Sequence, residues 1–234
     1  KVGKYDLLAQ DNIWGTSPQN LWTAGQADVS WNMIWHWDGN EWKNDPGQKI
    51  GINANYIYGT DENNIWIANS NNTFWHYDGK GWVKYCTMVY KKDWRITSSS
   101  IDGLSSNSLY ASGTAINEDF SEFEPVLMKF SGKEWNFLDI PKIEKTFFGS
   151  LRVDGKTGEV IIVGYNGNAY QGNFLYVYRN RVLTEIARSD EGYALQRINN
   201  SVYVTNERKV FRYGNGKLNE IRNFNGTTFA GRLW

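Results

Sequence analysis

The chain has 234 residues, and its 25 Lys and Arg residues equal its 25 Asp and Glu residues in number. A formal net charge of zero gives no global basic field, so neither nucleic acid nor an anionic membrane surface is expected as a partner. No apolar run approaches the roughly 20 residues that a membrane-spanning helix requires, so membrane insertion is not expected either. The single cysteine, Cys86, excludes an internal disulfide and a cysteine-based metal cluster.

Aromatic residues make up 16% of the chain, while Gly is plentiful at 23 and Pro is scarce at 4. This composition favours β-strands joined by tight turns. The amino end, KVGKYDLLAQ, lacks both an initiator Met and the apolar core of a signal peptide. We therefore expect a mature product or a piece of a longer chain.

A ten-residue element recurs at intervals of 44 residues. Its copies IWGTSPQNLW, IYGTDENNIW and IDGLSSNSLY begin at positions 13, 57 and 101 and align without gaps. A self-similar period of this size indicates a repeat architecture. Corresponding positions hold Trp14, Tyr58 and Asp102 near the start of the element, and Trp22, Trp66 and Tyr110 at its end.

A second element follows each copy of the first. Asp-Gly or Asn-Gly between alternating apolar residues predicts a two-residue hairpin of type I′, in which both central residues need positive φ. Each unit then contains four short antiparallel strands, which is the sequence form of a propeller blade. The copies of the second element are HWDGNEW (36–42), HYDGKGW (76–82), KFSGKEW (129–135) and, more degenerate, VYRNRVL (177–183) and RYGNGKL (212–218).

The sequence predicts an all-β fold, a β-propeller of four-stranded antiparallel blades, with five complete blades and the first strand of a sixth. TTFAGRLW (227–234) begins the sixth unit, because Trp234 lies five periods beyond Trp14. This surplus strand indicates an overlapping closure of the ring or, in the preferred interpretation, a fragment of a longer chain. The predicted limits are a single domain at 1–234, blades at approximately 4–47, 48–90, 91–142, 143–188 and 189–223, and the extra strand at 224–234.

The repeats resemble those of bacterial extracytoplasmic propellers, in which W-G-[ST]-x-x-[ND]-x-[IL]-W is followed by H-[WY]-D-G-x-x-W. They are also similar to the propeller repeats of periplasmic sensor domains. The match is weakest in the fourth and fifth units, where Arg179 and Gly214 replace the turn Asp. The resemblance implies a propeller fold and an extracytoplasmic setting, whether secreted, periplasmic or cell-surface. Such families share no single activity, so no catalytic residue is carried over.

Two histidines, His36 and His76, occupy equivalent positions in the first and second units. Equivalent positions on successive blades point to a shared structural role, and neither a metal site nor a cofactor is expected. The acids Asp119, Glu122 and Glu124 are close in sequence, but three acids in one polar loop are typical of a solvated surface. No catalytic residue is therefore assigned.

Loop lengths vary in only part of each unit. The step between the third and fourth strands is six residues in all five units, whereas the step between the second and third is 11, 7, 16, 13 or 6. The links between blades vary too, and TMVYKKDWRI (87–96) is the most distinctive. In a propeller these two variable loop classes share one face, so binding residues are expected on that face.

The variable loops carry the aromatic residues that depart from the repeat, and amide groups accompany them. Aromatic platforms flanked by polar groups suit a carbohydrate or a peptide. We predict a non-catalytic binding or interaction module, secreted or surface-attached, that presents this face to a carbohydrate or a protein. The alternatives are a polysaccharide-active hydrolase or lyase with carboxylates at the channel mouth, and a structural link in a larger surface assembly. The predicted ligand-binding residues are Trp31, Tyr90, Trp94, Phe120, Phe123, Tyr165, Tyr170 and Asn168.

Overall fold

A computed structural model describes residues 7–27, 32–44, 56–69, 73–167 and 173–224 of the chain. Within these ranges the chain forms twenty β-strands in five four-stranded sheets, and neighbouring strands in each sheet pair antiparallel. Each sheet takes four strands that are consecutive in the chain, which makes it one propeller blade. No helix in these ranges is long and apolar enough to cross a bilayer.

The blades follow the chain in order. The first consists of β1 (Leu7–Ser17), β2 (Asn20–Ala27), β3 (Asn32–Trp37) and β4 (Trp42–Asn44). The second consists of β5 (Tyr56–Asp61), β6 (Asn64–Ala68), β7 (Thr73–Tyr77) and β8 (Trp82–Thr87). The third consists of β9 (Trp94–Ser105), β10 (Ser108–Asn117), β11 (Phe123–Phe130) and β12 (Trp135–Phe137).

The last two blades complete the set. The fourth consists of β13 (Thr146–Val153), β14 (Val160–Asn166), β15 (Asn173–Arg179) and β16 (Val182–Ser189). The fifth consists of β17 (Ala194–Ile198), β18 (Ser201–Thr205), β19 (Lys209–Gly214) and β20 (Lys217–Asn223). The first strands of successive blades contact one another, β1 with β5, β5 with β9, β9 with β13 and β13 with β17. These strands are therefore the innermost ones and surround the central channel.

The prediction of five blades plus the first strand of a sixth is wrong, because the described strands make five blades of four. The segment that carried the sixth strand, 227–234, lies outside the described residues. Trp234 lies a whole number of 44-residue periods after Trp14. A match at one strand position, however, does not supply the three further strands with which a blade buries its faces.

The hairpins between the third and fourth strands are of two kinds. In the fourth blade Asn180 and Arg181 both have positive φ, 50° and 65°, as the type I′ prediction requires. In the first blade the prediction fails, because the positive φ falls on Gly39 and Asp38 caps a wider turn. The Asp38 carboxylate accepts hydrogen bonds from the backbone N–H groups of Asn40 and Glu41, both at 2.9 Å. The Asp side chain thus replaces the second left-handed residue in fixing the turn.

Recurring aromatic residues pack between adjacent blades. Trp22 and Trp66, at equivalent repeat positions, are both about 2% exposed. Each stacks on the histidine of its own blade, His36 at 4.1 Å and His76 at 4.4 Å between ring centroids. Both histidines therefore pack against scaffold tryptophans, in line with the structural role that the repeat predicts.

The burial of His76 gives the fold a pH dependence. Burial lowers the pKa of His76, with Asp78 and Asp61 opposing the shift, so the folded state takes up the proton less readily than the unfolded state. The stabilisation is present above the unfolded pKa of about 6.5 and is lost as the pH falls through it. We expect the melting temperature to fall by roughly 2 °C or more between pH 7.5 and 5.5.

The measurement is thermal unfolding followed by circular dichroism at both pH values. In His76→Gln the fall between pH 7.5 and 5.5 should be smaller than in the parent protein, since glutamine does not titrate. The range stops at pH 5.5 because Asp61 and Asp78, whose pKa values are lowered, contribute their own loss of stability at lower pH. An identical fall in both proteins would contradict the assignment to His76.

Candidate functional site

The variable loops of the third blade lie at one end of that blade. Trp94 at the start of β9 pairs with Asn117 at the end of β10, and Phe123 begins β11 at the same end. The link 88–93 and the loop 118–122 therefore leave the blade side by side. This end, at which the second strands of the other blades also finish and their third strands begin, is called the loop-bearing face.

A cluster on this face fixes the orientation of Trp94. The hydroxyl of Tyr90 and the ammonium of Lys91 both donate to Oε2 of Glu124, at 2.6 and 2.7 Å. The same ammonium lies 4.3 Å from the ring centroid of Trp94, and the Tyr90 ring lies 5.9 Å from it. A cation over an indole face is attractive, so one side of Trp94 is held by Lys91.

The surroundings of Glu124 and Tyr90 determine whether each of them is charged at neutral pH. Burial acts to raise the pKa of Glu124, but the hydrogen bonds from Lys91 and Tyr90 outweigh it, so the pKa of this carboxylate is lowered. Burial and the neighbouring carboxylate raise the pKa of Tyr90 to about 12. Tyr90 therefore stays a hydrogen-bond donor and Glu124 an acceptor at neutral pH.

A groove lies beside this cluster. Its volume is about 460 Å³, and the name third-blade groove is used for it below. Phe120, beside one wall, has φ of 61°, in the left-handed region that bulky residues rarely adopt. Such strain is common at binding and catalytic sites. The groove is lined by Lys92, Asp93, Trp94, Asn117, Glu118 and Asp119.

Among the predicted ligand-binding residues that the structure describes, Phe120 is the most exposed, at 62% of its surface. The guanidinium of Arg95 lies 4.2 Å from its ring centroid and holds one face of the ring. The loop that carries Phe120 is braced by its own side chains. Ser121 donates through its hydroxyl to Asp119 at 2.7 Å, and Asn117 accepts from the backbone N–H of Glu122 at 2.9 Å. The loop is thus ordered before any ligand arrives, which lowers the entropic cost of binding.

The structure separates the remaining predicted residues from this groove. Phe123 stacks face to face on Phe147 at 4.2 Å and packs over Gly167, which makes it part of the contact between the third and fourth blades. Tyr165 is 39% exposed and lines the central channel, where it packs over Gly149. Burial raises the pKa of Tyr165. The other three predicted residues, Trp31, Asn168 and Tyr170, lie outside the described residues.

The central channel holds charged residues that the sequence-based prediction missed. It contains a cavity of about 780 Å³ towards the hairpins that join the first and second strands, and one of about 450 Å³ towards the loop-bearing face. Asp102, which is 2% exposed, and Arg197 line the first cavity, and Arg152 lines both. One signal was present: Asp102 stands where the first two units have Trp14 and Tyr58.

Asp102 and Arg197 tie three blades together. Arg197 of the fifth blade contacts Asp102 of the third at 3.1 Å, and the backbone N–H of Val153 in the fourth donates to the other carboxylate oxygen at 2.8 Å. Arg197 also donates to the carbonyl of Gly103 at 2.8 Å. Burial raises the pKa of Asp102, and Arg197 and Arg152 oppose that shift.

Comparison with known proteins shows similarity of fold. No protein-family model and no curated protein matches the sequence. A lectin of Aleuria aurantia, a six-bladed propeller with a novel mode of fucose recognition, gives a TM-score of 0.55 at 11% identity, over 96% of this chain and 82% of the lectin. The lectin SapL1 in complex with α-methyl fucoside gives 0.56 at 10% identity, over 88% and 76%.

An α-L-arabinanase of Penicillium chrysogenum in complex with arabinobiose gives a TM-score of 0.51 at 11% identity, over 94% of this chain and 82% of the enzyme. At such low identities these likenesses establish the propeller fold alone. The Aleuria lectin has six blades, whereas the described strands of this chain form five. The bacterial repeat family that the sequence resembles is not confirmed by a family model.

Proposed function

We propose that this chain is a non-catalytic, carbohydrate-binding propeller that takes its ligand in the third-blade groove. The observation that carries the proposal is the combination of a held indole, Trp94, with charged groups in one groove and an exposed ring, Phe120, beside it. The sugar-ring face of a glycan is apolar and stacks on such rings. Its hydroxyls need the polar partners that Asp93, Asn117 and Asp119 place along the groove.

Preorganisation favours binding at this place. Lys91, held by Glu124, lies over the Trp94 ring, and the hydrogen bonds of Ser121 and Asn117 fix the neighbouring loop. A rigid aromatic platform has little conformational entropy left to lose when it binds. The sequence resemblance further supports an extracytoplasmic setting, in which glycans are available as ligands.

Three of the solved structures with a similar fold are of carbohydrate-binding or carbohydrate-cleaving proteins, which supports the proposed class of ligand. Two of them are lectins with fucose or a fucoside, and a third is an enzyme with a short arabinose chain. The proposal takes from them the class of ligand, carbohydrate, and no particular sugar.

Carboxylate chemistry favours binding over glycoside hydrolysis on this face. A hydrolase needs one carboxylic acid whose pKa is raised, so that it can protonate the leaving group. Hydrogen bonds from Ser121 lower the pKa of Asp119, and those from Lys91 and Tyr90 lower that of Glu124. Both acids are therefore ionised at neutral pH, and Asp119, which lines the groove, is suited to accept hydrogen bonds from sugar hydroxyls. We place the enzyme alternative second.

The test is binding to a glycan array, followed by titration calorimetry with the best glycan. Trp94→Ala and Phe120→Ala are each expected to weaken binding about tenfold or more, since truncating an anchoring aromatic costs about 1–2 kcal/mol and 1.4 kcal/mol is tenfold. Both changes remove ring surface without altering the net charge.

The matched control is Trp37→Ala. Trp37 is also partly buried, but it lies at the opposite end of the first blade, where it pairs with Trp42 across a hairpin. Its loss should leave glycan affinity within twofold of the parent value. Equal affinities in the parent, Trp94→Ala and Phe120→Ala proteins would overturn the assignment of the groove. Binding of a protein but of no glycan would overturn the ligand class.

A further inference from the structure

The central channel carries more positive than negative side chains. Among the described residues that line its two cavities, Arg152 and Arg197 are cationic and Asp102 is the one carboxylate. Charges in such a restricted space are stable only when they are paired and hydrogen bonded. The question is which arginine lacks a counter-ion.

Asp102 forms an ion pair with Arg197. One of its oxygens contacts Nη2 of Arg197, and the other accepts from the backbone of Val153. Arg197 also donates to the hydroxyl of Tyr58 at 3.0 Å and to the carbonyls of Gly103 at 2.8 Å and Val153 at 3.4 Å. Tyr58 donates to the Gly103 carbonyl at 2.7 Å, and burial raises its pKa to about 12. Asp102, Arg197 and Tyr58 are therefore satisfied by one another and by neighbouring backbone groups.

Arg152 differs from Arg197 in its partners. Its Nη1 donates to the carbonyl of Leu151 at 2.6 Å, to the hydroxyl of Tyr56 at 3.0 Å and to that of Ser100 at 3.5 Å. All three acceptors are neutral. None of the hydrogen bonds that Arg152 makes with the described residues uses Nε or Nη2. Among the described residues, the carboxylate that acts on this guanidinium is that of Asp102, at longer range.

The cavity above Arg152 has the lining of a small-ligand site. At about 450 Å³ it falls within the range of about 300–1,000 Å³ that is typical of such sites. Tyr165 stands at its loop-bearing side, partly exposed, and Tyr193 and Tyr56 supply further rings. Hydroxyl and amide groups complete the lining, from Ser98, Ser99, Ser150, Asn12 and Gln196.

We propose that this channel cavity binds an acidic sugar, such as a hexuronate, whose carboxylate pairs with Arg152. Arginine binds carboxylates through two parallel N–H groups, and Nε with Nη2 forms such a pair. The tyrosines then take the apolar face of the sugar, and the serine and amide groups take its hydroxyls. The sugar part of this inference rests on the proposed function, whereas the carboxylate part rests on Arg152.

The experiment is titration calorimetry of the whole chain with glucuronate, glucose and inorganic phosphate at low ionic strength. Glucuronate should bind at least tenfold more tightly than glucose, because glucose lacks the carboxylate. Two variants test the site. Arg152→Gln removes the cation, and Ser150→Asp adds a carboxylate to the lining that repels glucuronate and competes with it for the guanidinium, while Tyr56, Ser100 and Leu151 stay in place. Each should weaken glucuronate binding at least tenfold.

The control is Arg188→Gln, which makes the same change in net charge at an exposed ion pair with Glu185. Glucuronate affinity should be unchanged in it, and circular dichroism checks the fold of all variants. If Arg152→Gln does not fold, Ser150→Asp decides. Equal affinity for glucose and glucuronate, or full glucuronate binding by either folded variant, would overturn the inference. Phosphate binding as tight as glucuronate would also overturn it, since the site would then be a general anion site.

The groove variants keep the two proposals apart. Trp94→Ala should weaken neutral-glycan binding and leave glucuronate binding intact, because Trp94 lines the groove and not the channel. Glucuronate binding that persists while no glycan binds the groove would support the channel site and reject the groove. The converse result would reject the channel site alone.

Discussion

Replacing Trp66 with alanine is expected to lower the free energy of unfolding by about 3–5 kcal/mol, the usual cost of truncating a buried aromatic residue. Trp66 lies in the second blade and is about 2% exposed. Its ring centroid is 4.7 Å from that of Phe130 and 5.7 Å from that of Trp135, both in the third blade. The change therefore opens a cavity at the contact between two blades, where neither sheet can collapse to fill it.

The measurement is urea unfolding followed by circular dichroism, with the slope of the transition compared between variants. Trp66→Phe should recover much of the loss, because Nε1 of Trp66 has no hydrogen-bond partner among the described residues and contributes no polar contact. The control is Trp37→Ala, which removes a more exposed indole from a hairpin and should cost less than half as much. A cost for Trp66→Ala no greater than that for Trp37→Ala would refute the role of the ring between the blades.

The repeat made the blade predictable because its signals are local. Alternating apolar residues, turn residues and the constant step between the third and fourth strands depend on neighbours within a few positions. Trp22 and Trp66 recur at the same position of the repeat, as residues of a shared scaffold do, and both are buried. The described strands make five blades and not the further strand that was predicted, because a period continues to match wherever one aromatic residue falls in register.

The channel network was hidden because its partners are distant in the chain. Arg197 meets Asp102 only when the fifth blade reaches the third across the channel. Nothing in the local sequence of either residue encodes that meeting. The local sequence also does not distinguish exposed from packed aromatic residues in the loops. Phe120 is exposed whereas Phe123, three positions later, stacks on Phe147 of the next blade. The difference depends on packing between blades, which no local pattern records.

Replacing Asp102 with leucine is expected to cost about 3–5 kcal/mol, because it leaves the guanidinium of Arg197 in the channel without its carboxylate. The backbone N–H of Val153 loses its acceptor in the same change. Leucine has the branched four-atom shape of aspartate but is larger, so no cavity forms and the loss reports mainly the missing charge and hydrogen bonds. Urea unfolding measures it, and a fall in the unfolding midpoint with an unchanged slope is the expected form.

The double variant Asp102→Leu with Arg197→Met separates the value of the pair from the penalty of breaking it. Buried ion pairs replaced on both sides by apolar groups are often nearly neutral in stability, whereas removal of one partner leaves a charge unpaired. We therefore expect the double variant to regain most of the stability that Asp102→Leu loses, a large coupling for two residues in contact. Glu185→Gln, which removes the exposed partner of Arg188, should change the midpoint little. If the two channel changes were simply additive, the contact of Asp102 with Arg197 would not be what holds the third and fifth blades together.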